Sequence, residues 1–134
     1  MAYGTLQTDV INSSTGLFST NNAYNGIAKA WVNFDPSSGS SASIRSSFNV
    51  SSVTYNATGD YTINFTTAMP NANYAALTTS RRSNGGDAQG IATVYPNATY
   101  SNAISTTFVR VVTGYTSSGT LINFDYVGAL IISS

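Results

Sequence analysis

The sequence predicts an all-β fold: a single antiparallel β-sandwich, jelly-roll-like, of seven to eight strands, with an extended N-terminal arm. Three observations predict it. The strong helix formers are nearly missing, since Glu is absent and Lys, Leu and Gln are scarce. Their place is taken by Ser, Thr and Asn, 52 of 134 residues, together with Tyr, Phe, Val and Ile, a set that favours turns and strands. Short alternating apolar runs are separated by turn signals at intervals of about 8 to 12 residues, the spacing of a sandwich or barrel.

Residues 1–27 are polar and weakly patterned. "TLQTDVI" suits one short strand, and "NSSTGLFSTNNAYNG" reads as extended and turn-rich. Its apolar points, Leu6, Val10, Ile11, Leu17, Phe18 and Tyr24, are spaced like anchors, so this segment is expected to be an arm that packs on a neighbour. The sandwich domain is expected over 28–134. Its first strand, in "IAKAWVNFDPSSG", puts Ala30, Val32 and Phe34 on one face and Trp31 on the other, and Asp35-Pro36 ends it.

"SIRSSFNVSSVTYN" then leads into a hairpin, "VTYNATGDYTINFTT". A loop over 56–60 would set Tyr55 opposite Tyr61, Val53 opposite Ile63 and Ser51 opposite Phe65. Val32, Phe34, Val53, Tyr55, Tyr61, Ile63 and Phe65 are expected in or near the core. A strand over 73–80 follows a Pro-Asn turn, and "RRSNGGDAQG" is the clearest loop. "GIATVYP", "STTFVRVVTGY" and "YVGALIIS" supply the remaining strands, with "TSSGTLINFD" read as a loop despite its apolar centre.

Charged residues make up only 7% of the chain: Asp9, Asp35, Asp60, Asp87 and Asp125 against Lys29, Arg45, Arg81, Arg82 and Arg110. With zero net charge there is no basic field for nucleic acid or an anionic membrane, and no apolar run is long enough to cross a bilayer. Low charge also removes repulsion between copies and leaves few long, entropy-rich side chains to immobilise, which suits a protein that lives in an assembly. A secreted, low-charge bacterial surface protein is the other reading of that composition.

Without His, Cys or Glu, the usual general bases, thiol nucleophiles and transition-metal ligands are missing, so no enzyme activity, metal or cofactor is expected. Asp35, Asp60 and Asp87 sit beside Pro or Gly, where aspartate bonds its own backbone. The candidate contact residues are Arg81 and Arg82 in the loop, Arg110 inside a strand, and Phe18 and Tyr24 in the arm. Arg110 lies either on the wet face of its sheet or in an ion pair across an interface.

The stretch "AWVNFDPSSGSSASIRSSFNVSSVTYNATGDYTINFTTAMPNANYA" resembles a module of tailed-bacteriophage virion proteins, those of cyanobacterial and marine phages above all. In that family a "KAWVNF" strand precedes an "IR-SFNVSS" segment and a "TGDYTVNFTTAMP-ANYA" hairpin. A "YVNVAVF"-like strand closes it, to which "DYVGALII" is a looser match. The resemblance covers about residues 28 to 133. It implies a β-sandwich in tail fibres and small head proteins, and it carries no catalytic or ligand residues. That resemblance does not choose between head and tail; the lack of shaft heptads and the polar, turn-rich arm suited to a lattice favour a capsid decoration (cement) protein on the outer head surface, a homotrimer bound to the major capsid protein. A receptor-binding tail module that recognises a host glycan is the alternative.

Overall fold

The computed structural model describes residues 10–13, 16–19, 26–81, 90–94, 103–115 and 118–133. Every element named among them is a strand. In the region expected as an arm, β1 (Val10–Ser13) and β2 (Gly16–Ser19) pair with each other as an antiparallel ribbon. Eight strands follow: β3 (Ala28–Asp35), β4 (Ser43–Phe48), β5 (Val50–Ala57), β6 (Asp60–Phe65), β7 (Ala75–Arg81), β8 (Gly90–Val94), β9 (Phe108–Tyr115) and β10 (Tyr126–Ile132). They form two antiparallel sheets of four, in the orders β4-β3-β10-β7 and β5-β6-β9-β8, which pack as a sandwich. The all-β class read from composition is the one observed.

Strand alternation decides what fills the space between the sheets. Ala30, Val32 and Phe34 of β3 and Val127, Ala129 and Ile131 of β10 point inward from one sheet. Tyr61, Ile63 and Phe65 of β6 and Val109 and Val111 of β9 meet them from the other. Phe34 and Tyr61 touch edge to face across the gap, with ring centroids 5.2 Å apart. Val53 and Tyr55, on the edge strand β5, are half-buried against this core.

The hairpin has two of its three expected pairs, Tyr55 with Tyr61 and Val53 with Ile63. The third differs: Val50, not Ser51, faces Phe65, because the ladder slips by one residue between Val50 and Ser52. Its loop is also tighter than expected, since Ala57 already pairs with Asp60 and only Thr58 and Gly59 turn the chain. Gly59 has φ of 68°, and a Cβ there would lie 2.5 Å from the Thr113 carbonyl oxygen. The turn is pressed against β9, and Thr113 N–H donates to Gly59 O at 2.8 Å. Only glycine meets both conditions.

The segment read as a loop between the last two strands is one, yet its apolar centre is used. Ile122 N–H donates to Thr113 O, and Thr113 Oγ1 donates to Ile122 O at 2.6 Å. This lays the chain along β9 and drops Phe124 into the core, 1% exposed. Asn123 beside it accepts from both Gly59 N–H and Tyr61 O–H at 2.7 Å, joining this segment to the hairpin turn.

Candidate functional site

The two outer faces of the sandwich are chemically unlike. On the β5-β6-β9-β8 face, the polar side chains of β5 and β6 satisfy one another, while β9 adds Phe108 and Val112 beside Arg110. Asn64 Nδ2 donates to Ser52 Oγ and Thr54 Oγ1 at 3.0 and 3.1 Å, and Asn56 Nδ2 donates to Thr62 Oγ1 at 2.9 Å and Asp60 Oδ1 at 3.1 Å. Arg110 completes this network, donating from Nε to Asp60 Oδ1 at 2.8 Å and from Nη2 to Asp60 Oδ2.

One expectation changes here, that for Asp60, and the two alternatives for Arg110 resolve to the outer face of its own sheet. Asp60 is not a turn aspartate bonding its own backbone; it is 4% exposed and held bidentately by Arg110. Arg110 accordingly finds its partner within the same chain, on the adjacent strand, where Thr62 is its register neighbour. A fork-shaped guanidinium suits a buried carboxylate that cannot reach water.

The β4-β3-β10-β7 face is built differently. Register places Phe48 beside Trp31, Trp31 beside Leu130 and Leu130 beside Leu77, so one apolar residue from each strand falls in a single row across the sheet. All four remain open to solvent, at 53%, 37%, 36% and 52% exposure respectively. Two residues along each strand lies a row of small or polar side chains, Ser46, Asn33, Gly128 and Thr79. Between Trp31, Leu77 and Leu130 on one side and Tyr126 on the other, Asn33, Gly128 and Thr79 of this second row floor a shallow open depression of about 390 Å³. Gly128 sets its depth, since a Cβ there would stand 2.7 Å from Thr79 Oγ1.

A charged third row bounds the depression. Tyr126 is flanked by Arg45 and Arg81, whose Cζ atoms lie 5.7 and 5.8 Å from the ring centroid. Both arginines are also held by carboxylates. Arg45 donates to Asp35 Oδ2 at 2.6 Å and to the Asp125 carbonyl at 2.7 Å, and Arg81 donates to Asp125 Oδ2 at 3.1 Å. Asp35 does behave as a turn aspartate, accepting from Ser37 N–H at 2.9 Å. Hydrogen bonds from Ser37, with a smaller contribution from Arg45, hold the Asp35 carboxyl below its usual pKa. The row therefore presents aromatic and guanidinium surface with its charges cancelled.

Of the residues singled out from sequence, Arg81 belongs to this face, and Arg110 to the opposite one. Arg82 and Tyr24 lie outside the described residues, and Phe18 stands opposite Ile11 in the β1–β2 ribbon. Sequence reasoning missed the row itself. Trp31 was visible as the residue of opposite parity in β3, and Leu130 has the same signature in β10, between Ala129 and Ile131. What no local pattern carries is that β10 sits between β3 and β7, which turns four separate side chains into one surface.

The lining can do two things. It can cover an apolar protein surface, with Trp31, Tyr126 and the arginines as the residue types that anchor such contacts. Or Trp31 and Tyr126 can stack on a flat ligand. No protein-family model, curated protein or solved structure matches the chain.

Proposed function

We propose that the chain is a non-catalytic assembly module, a virion structural protein of the capsid-decoration kind, that works by covering protein surface with the outer face of its β4-β3-β10-β7 sheet. The observation that carries the docking part is the row itself: Phe48, Trp31, Leu130 and Leu77 lie exposed and continuous across four strands, whereas the polar side chains of β5 and β6 on the opposite sheet bond one another. With Tyr126, the row exposes on the order of 500 Å² of largely apolar surface, which lies among the largest patches seen on monomers and is commonly functional there. The virion part rests on the resemblance of residues 28 to 133 to modules of tail fibres and small head proteins, and decoration is preferred because the chain carries no heptad repeats for a shaft and has a polar, turn-rich N-terminal segment suited to a lattice.

The test is stoichiometry joined to add-back. Quantitative mass spectrometry of purified phage particles that carry the protein should count hundreds of copies, located on the head. Heads stripped of it should rebind the wild-type chain and fail to rebind Trp31→Ala with Leu130→Ser. A few to some tens of copies at the tail would overturn the decoration role.

A second reading has its own observation. Trp31 and Tyr126 stand on opposite sides of a shallow depression whose floor offers the Asn33 and Thr79 side chains, an arrangement suited to a sugar ring. This is the host-glycan alternative. It is favoured instead if a glycan array returns a hit that Trp31→Ala abolishes while Arg81→Ala with Arg82→Ala weakens it.

A further inference from the structure

We propose that the occupant of the β4-β3-β10-β7 face is a second copy of this chain, packed face to face about a two-fold axis. This rests on reading that face as an assembly surface and names its partner. The argument is one of shape. The apolar row is a ridge, and the row of Ser46, Asn33, Gly128 and Thr79, two residues along each strand, is a parallel furrow about 6.6 Å away. A two-fold axis lying parallel to both rows and midway between them exchanges ridge and furrow. Leu130 then seats over the partner's Gly128, Trp31 over the partner's Asn33, and Leu77 over the partner's Thr79. At the centre the large Leu130 meets the partner's Gly128, and Trp31 and Leu77 meet polar side chains of the furrow, the condition for interdigitated packing of two aligned sheets at about 10 Å.

Charge and area point the same way. The charged groups bordering the furrow, Arg45, Arg81, Asp35 and Asp125, sum to zero and are paired within the chain, and Lys29, on the same strand face two residues before Trp31, falls opposite the partner's Asp35 in this arrangement, so two such faces approach without repulsion. In the two-fold arrangement they fall at both ends of the contact, as a polar rim around an apolar centre. The four strands are six to eight residues long, so the face measures about 20 by 20 Å. That is below the ~800 Å² per partner of a standard interface and within the range of a weak, concentration-dependent pairing that high concentration populates. A partner with strong net charge finds nothing complementary here; a second copy does.

The pairing calls for a two-fold contact, whereas the resemblance leads one to expect a trimer, so mass distinguishes them. Light scattering after gel filtration at about 100 µM should give twice the chain mass of 14.0 kDa. Leu130→Asp should weaken the dimer by about thirtyfold or more, the effect of removing a central anchor. Leu77→Asp, at a half-exposed site remote from the core, should do so too, with unchanged circular dichroism. The chain has no cysteine, so Thr79→Cys joined by a short bismaleimide linker reports the face directly, with Thr54→Cys on the other sheet as the control that stays unlinked. A wild-type monomer, or a trimer that survives both aspartate substitutions, overturns the pairing. A monomer that still binds phage heads through Trp31 overturns the pairing and keeps the assembly reading. A dimer with no affinity for any phage particle keeps the pairing and removes the decoration role.

Discussion

At the scale of single residues, the informative case is Asp60. Its neighbours in sequence, Thr58 and Gly59, make a turn aspartate the natural reading, and that reading is right about the turn and wrong about the carboxylate. The carboxylate is held by Arg110, which lies 50 positions away and reaches it only because β9 pairs with β6. Ion pairs between strands distant in sequence are set by register, and register between such strands is not written locally. A buried pair costs desolvation on both sides, so removing one member leaves an uncompensated charge. Arg110→Met should therefore lower stability by about 3 to 5 kcal/mol in urea unfolding, and Asp60→Asn added to it should restore part of that loss. A cost under about 1 kcal/mol for the single change would mean that the pair behaves like a surface salt bridge.

At the scale of elements, the β5–β6 hairpin was legible because its information is local. Tyr61, Ile63 and Phe65 share one parity, Val53 and Tyr55 match it, and the turn residues lie between them. The slip beside Val50 was not legible, because Ser51 and Ser52 are alike in polarity and give no reason to prefer either register. Gly59 joins the two kinds of information, with a conformation of its own turn and a contact with β9. Gly59→Ala should therefore cost more than backbone strain alone, about 2 kcal/mol or above, because the added methyl meets main chain that cannot move aside. Thermal unfolding measures it. A loss below about 0.5 kcal/mol would show that the turn does not press on β9 as described.

At the scale of the whole molecule, composition was enough for the all-β class and the alternating strands for most of the core. It was not enough for the candidate site. Arg81 was picked out as a loop arginine, and the structure makes it one flank of Tyr126; the row of Phe48, Trp31, Leu130 and Leu77 emerges only from the order β4-β3-β10-β7. The continuous exposed apolar row is a property of the assembled sandwich, and it is the basis of the functional reading.

Trp31 tests that reading directly, because it is the only tryptophan in the chain and sits within the row, 37% exposed. Acrylamide quenching of its fluorescence should be measured at concentrations where the chain is associated, and in the same buffer for Leu77→Asp. If the row is the buried surface of the assembly, wild-type Trp31 is quenched several-fold less than Trp31 in the variant, and its emission is shifted to the blue. Equal quenching and equal emission maxima in an assembly of proven mass would place the contact elsewhere on the molecule and contradict the account.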